Sequence, residues 1–177
     1  MAAPRICAPG RFLRGTDGAA TLEFLIIFPM VFFAVLAFVE AGWLMTRATL
    51  LDRGVDMAVR ELRVGTATAP DHAALKRLIC GHAVLLGACE ENLAVELIPI
   101  RSPADLPDRD TVCVDRATRI EPAVRYDPGR RSETVFVRAC LLADPLIPGV
   151  GLALAMPTAP GGGIVMIAYA AFVNEPE

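Results

Sequence analysis

Two histidines, a set of cysteines and a run of aspartates are the side chains of this 177-residue chain that could do chemistry. Cys80, His82 and Cys89 hold zinc-type donors, but their spacing matches no common zinc pattern, and only two histidines exist. Asp105, Asp108 and Asp110 crowd the segment SPADLPDRD. A calcium loop would also need a central glycine and a terminal glutamate, and both are missing, so a solvated loop is the better reading. His72 and His82 lie on or just before one short helix, where packing or solvation explains them. No G-x-S-x-G, H-E-x-x-H or glycine-rich phosphate loop occurs. Catalysis needs convergent groups with perturbed protonation, and no such set can be assembled. The expectation is a protein that is not an enzyme and that uses no cofactor and no metal.

The other chemical oddity is Glu23, on the threshold of an apolar run that continues without a charge from Phe24 to Val39. A carboxylate at the edge of hydrocarbon costs several kcal/mol by most estimates and so calls for a partner. The run is roughly 24 Å of helix at 1.5 Å per residue. Ala41–Met45 extends it beyond Glu40 toward the roughly 20 residues that a span needs. Trp43 stands where an interfacial aromatic belongs. Pro29 is tolerable in a membrane helix and should kink its first turns. Arg5, Arg11 and Arg14 precede the run, which puts the N-terminus in the cytoplasm and the remainder outside.

Three readings compete for this segment. A cleaved secretory signal would need small residues at the cut, and Val39-Glu40-Ala41 is a poor version of that site. A plain signal anchor needs only the basic start and the apolar run. Neither accounts for Glu23. The third reading does: Gly18 is followed at the fifth residue by Glu23 and then by the unbroken helix. This layout resembles the class III signal of type IV pilins. Arg11-Phe12-Leu13-Arg14, Asp17-Gly18-Ala19-Ala20, Glu23-Phe24, Pro29 and Glu40 in FVEAGW together resemble the start of TadE-like proteins. These are the minor pseudopilins of Tad (tight adherence, Flp) pilus systems.

The resemblance implies cleavage between Gly18 and Ala19 by a prepilin peptidase on the cytoplasmic side, leaving the hydrophobic helix attached. It implies that Glu23 pairs with the new N-terminal amine of a neighbouring subunit, neutralising two costly groups and fixing axial register. It implies as partners the prepilin peptidase, the major Flp-type pilin, a sister minor pseudopilin and the Tad inner-membrane platform. The location implied is the bacterial inner membrane, single-pass, with the C-terminal domain in the periplasm.

The elements that carry these residues follow from periodicity. Ala48, Leu51, Val55, Ala58, Val59 and Leu62 recur at three- and four-residue steps. One helix therefore extends from near Ala19 to about Val64, although two helices broken at Gly54 fit the pattern equally. Thr68-Ala69-Pro70-Asp71 has capping-box spacing and opens a second helix that stops near Gly87. Leu93–Ile100, Glu133–Leu142 and Gly163–Val173 read as strands. The Asp127-Pro128-Gly129 turn should join RIEPAVRY to the Glu133 strand as an antiparallel hairpin. The stretch 144–162 is too long for an ordinary connection, and its Leu152, Leu154 and Met156 need cover.

Cys80, Cys89, Cys113 and Cys140 all follow the apolar run, as two disulfides in an oxidising compartment would. Four cysteines allow three connectivities, and the sequential one, Cys80–Cys89 with Cys113–Cys140, is the expectation. The fold class expected is α+β and pilin-like: a long N-terminal helix, membrane-spanning in its first half, packed on a small periplasmic domain with a second helix and an antiparallel sheet. The divisions are a leader over 1–18, a transmembrane helix over 19–45 and the periplasmic domain over 46–177. The net charge is −3. Arg5, Arg11 and Arg14 against Asp17 give residues 1–18 a balance of +2, so the remainder carries −3 − 2 = −5 and shows no basic stripe, which argues against nucleic acid as a partner. Two functions remain: an assembly subunit of a Tad/Flp-type pilus, or an unprocessed, signal-anchored periplasmic binding module.

Overall fold

A computed structural model describes residues 19–64, 71–106, 113–116, 124–130, 132–148 and 155–174. Helix α1 (Ala19–Arg63) is followed by α2 (His72–His82), a one-turn α3 (Cys89–Asn92), β1 (Leu93–Ile100), β2 (Thr134–Ala143) and β3 (Ile164–Val173). The strands form an antiparallel sheet in the order β1-β2-β3. The fold is α+β, as the sequence predicts.

Period-two alternation sorts the sheet into two faces. Leu93, Val95 and Leu97, then Val135, Val137, Ala139 and Leu141, then Ile164, Met166, Ala168 and Phe172 all bury against the helices. Leu44, Leu51, Val55, Ala58 and Val59 of α1 and Leu75 and Ile79 of α2 meet them. On the other face Ala94, Cys140 and Leu142 pack with Cys113 and Val114. Glu96 and Arg138 stand directly opposite on β1 and β2 and form a buried ion pair, with Arg138 Nε donating to Glu96 Oε2 at 2.8 Å.

Helix α1 does not break at Gly54. Instead α2 packs there: a methyl at that position would stand 2.8 Å from Ala83 Cβ and 2.8 Å from the Ile79 carbonyl. The glycine is a contact point between helices, which periodicity alone cannot separate from a breaker. Arg60 and Arg63 close the last turn, where cations favour the helix dipole.

Three expectations need correction. The second helix is capped by Asp71, whose Oδ1 accepts the Ala74 N–H at 2.6 Å, so it begins at His72; Thr68 lies outside the described residues. It ends at His82 with Ala83 as its cap, ahead of Gly87. The hairpin through Asp127-Pro128-Gly129 does not form. Both sides of β2 are taken by β1 and β3, so Tyr126 pairs in parallel with Leu97 on the outer edge of β1. Asp127 Oδ1 still accepts the Gly129 N–H at 2.9 Å, so the turn chemistry is present without the hairpin.

Candidate functional site: the exposed apolar helix and its junction with the head

From Ala20 to Val35 every residue of α1 is exposed, and the run is almost wholly apolar. One 18-residue window reaches a mean hydropathy of 2.6 with none of it buried, so the helix is long and apolar enough to cross a membrane. Phe24, Phe28 and Phe32 stack in an i,i+4 ladder with ring centroids 5.0 and 5.7 Å apart. Pro29 lies inside the helix, which continues through it although proline has no N–H for the Leu25 carbonyl.

Ala19 is the first residue of α1, while Gly18 and Cys7 lie outside the described residues. Glu23 projects from the exposed first turns, and among the described residues no cation pairs with it. A carboxylate thus stands on an apolar rod, without a described counter-ion in its own chain.

The second carboxylate behaves in the opposite way. Glu40 is only 1% exposed and is the first buried residue of α1. Its Oε1 accepts the backbone N–H of Ile147 at 3.4 Å. Arg47, two turns further on, donates from Nη1 to the Asp144 carbonyl at 2.9 Å and lies 5.5 Å over the Trp43 ring. Arg116 fixes the same segment from the sheet side. It donates to the Leu142 carbonyl at 3.1 Å and to Asn92 Oδ1 at 2.8 Å, and it pairs with the Asp144 carboxylate. The loop after β2 is therefore tied to α1 at two levels. Sequence reasoning noticed Glu40 without assigning it this role, because its partner lies 107 positions away.

The disulfides are the sequential pair. Cys80–Cys89 joins the end of α2 to α3, with Cα atoms 5.8 Å apart. Cys113–Cys140 ties the segment before Val114 to β2, at 5.6 Å. Both histidines have structural partners: His72 Nε2 donates to the Val95 carbonyl at 3.0 Å with its ring edge-on to Tyr126, and His82 Nε2 meets Glu61 Oε1 at 2.8 Å. Asp105 accepts the Arg101 and Ser102 N–H groups in a tight turn, which hold its carboxyl below the usual range. Asp108 and Asp110 lie outside the described residues. Met156 packs against the core, whereas Leu152 and Leu154 also fall outside the described residues. A shallow groove beside β1 gathers Arg101, Asp105, Arg125 and Asp127. Its charge is largely spent internally: Arg101 forks onto Glu133 at 3.0 and 3.3 Å.

No curated protein matches the chain, and no solved structure does. The family model for TadE-like proteins matches residues 18–60, which cover the exposed apolar half of α1, Glu23, Glu40 and most of the packed half. Over that helix, about a quarter of its length, the chain is similar to TadE-like proteins.

Proposed function

We propose that this protein is a minor pseudopilin, an assembly subunit of a Tad/Flp-type pilus that acts by packing and not by catalysis. The observation that carries the reading is the pairing of an exposed apolar half-helix, with an exposed Glu23 near its start, and a packed α+β head on the same uninterrupted rod. A lone soluble domain would have no use for such a helix. A subunit that waits in the inner membrane and then packs side by side with others needs one. In this reading α1 crosses the membrane with the head in the periplasm, and the prepilin peptidase cuts between Gly18 and Ala19. That cut would leave the described helix Ala19–Arg63 attached to the head. Glu23 then takes the N-terminal amine of a neighbour, the major pilin or a sister pseudopilin, and the Tad platform supplies the site of assembly.

The test is the intact mass of the protein recovered from its native membrane, together with a Glu23→Ala variant at native expression. A chain beginning at Ala19 is expected, and one beginning at Met1 would replace this reading with the signal-anchored binding module. Glu23→Ala should still insert while pilus assembly fails. Normal piliation in that variant would remove the role assigned to the carboxylate.

A further inference from the structure

The loop Asp144–Pro148 descends along α1 toward its exposed apolar end. Asp144 is held by Arg47, and Ile147 is held by Glu40, two helical turns closer to the N-terminus. Side chains on a helix lean toward its N-terminus, so each of these contacts lies at or below the level of the residue making it. Leu36 and Ala37, on the Glu40 face one turn before it, are the first residues of the apolar half to lose exposure. The loop therefore reaches the level at which the apolar surface begins.

Its chemistry suits that level. Pro145, Leu146, Ile147 and Pro148 carry no charge, and Leu146 is 50% exposed. The two prolines have no N–H to leave unsatisfied, and the Ile147 N–H is taken by Glu40. Only the Leu146 N–H remains of the four possible backbone donors. Such a segment brings few backbone donors to an apolar surface, while its carbonyls still need partners and so keep the backbone at the hydrated edge of the hydrocarbon as the side chains dip in. Trp43 beneath the Arg47 guanidinium adds an interfacial pair at the same height.

The distances agree. Counted from Phe24, so that Glu23 stays at the inner edge, 20 residues make about 30 Å of helix at 1.5 Å per residue, and the hydrocarbon of a bilayer is about 30 Å thick. With that stretch in the membrane, the outer hydrocarbon boundary falls beside Trp43, within one turn of Glu40. Leu146 and Ile147 then lie at or within it. We infer that the Asp144–Pro148 loop is a second membrane contact, in which Leu146 and Ile147 dip into the outer leaflet while Glu40 holds the loop in place. The occupant of this patch is the lipid surface that is continuous with the one around α1. The inference rests on the reading that α1 crosses the membrane.

The experiment places a nitroxide on single cysteines in the full chain carrying Cys7→Ser, reconstituted into phosphatidylethanolamine–phosphatidylglycerol vesicles. The positions are Leu146→Cys, Phe28→Cys in mid-helix, and Val84→Cys, an exposed residue after α2 on the far side of the Gly54 contact. Collision with oxygen, which partitions into lipid, is compared with collision with a nickel chelate, which stays in water. Oxygen should dominate at 28 and at 146, and the chelate at 84. Adding Glu40→Leu should shift only position 146 toward the chelate. A chelate-accessible label at 146 with a lipid-buried label at 28 overturns the loop inference alone. Chelate access at 28 overturns the membrane reading together with it. A label at 146 shielded from both reagents overturns it in favour of a protein neighbour.

Discussion

Replacing Gly54 with alanine is the sharpest probe of how the rod meets the head. In the middle of an exposed helix that change is worth roughly 1 kcal/mol in favour of alanine. Here the new methyl would meet Ala83 Cβ and the Ile79 carbonyl oxygen, each at 2.8 Å. The carbonyl cannot retreat freely, because it accepts the Ala83 N–H at 2.9 Å where α2 is capped. Nor can Ala83, which is buried. Overpacking of this kind costs about 1–3 kcal/mol, so set against the propensity gain it leaves a net loss of up to about 2 kcal/mol. For a chain of this size that lowers Tm by up to about 8 °C. The assay is thermal unfolding of the detergent-solubilised protein followed by circular dichroism, with Gly81→Ala as the control. Gly81 sits in α2 with nothing within 4 Å of the added methyl, and its substitution should be neutral or stabilising, by up to about 1 kcal/mol. A higher Tm for Gly54→Ala would refute the close contact and restore the idea that Gly54 is merely a weak point in the helix.

Two further outcomes can be checked on the same preparation. In the chain-entropy account, removing Cys113–Cys140 should cost about 3.6 kcal/mol and removing Cys80–Cys89 about 2.7 kcal/mol, because the first closes the longer loop. Urea midpoints of the paired serine variants should follow that order, and a reversed order would point to local packing over loop closure. Glu133 is held below the usual glutamate range by Arg101 first and by the Arg130 N–H next. A depressed carboxylate adds stability that is fully present above its unfolded pKa and is lost as pH falls through the folded one. Glu133→Gln should therefore flatten the acid limb of a stability-against-pH curve and leave its neutral-pH shape unchanged. An acid limb as steep as the native one would assign the acid sensitivity to other groups.

What could be read from the residues was whatever repeats locally. The stripe from Ala48 to Leu62 and the alternation in the three strands needed only periods of three to four and of two, and each element stands within a residue or so of its expected place. The hairpin failed because a turn motif reports local backbone and not which strand edge is free. Once β1 and β3 flank β2, Tyr126 has no edge of β2 left and pairs on the outer side of β1. Gly54 was ambiguous because the same residue serves as a breaker and as a point of close approach. Glu40 was visible as a carboxylate beside an apolar run, but its burial depends on a loop more than a hundred positions away. Glu23 shows the converse, since all of its interest was in the local pattern and the fold of a single chain adds no described partner.

The absence of any joint between the apolar half of α1 and its packed half has a geometric consequence. At about 100° per residue, the 17 steps from Glu23 to Glu40 leave the two carboxylates about 100° apart around the axis. A neighbour that grips Glu23 thereby sets the compass bearing of the whole head, and the loop held by Glu40 faces roughly a quarter-turn away from that neighbour. The molecule has no swivel with which to change its mind.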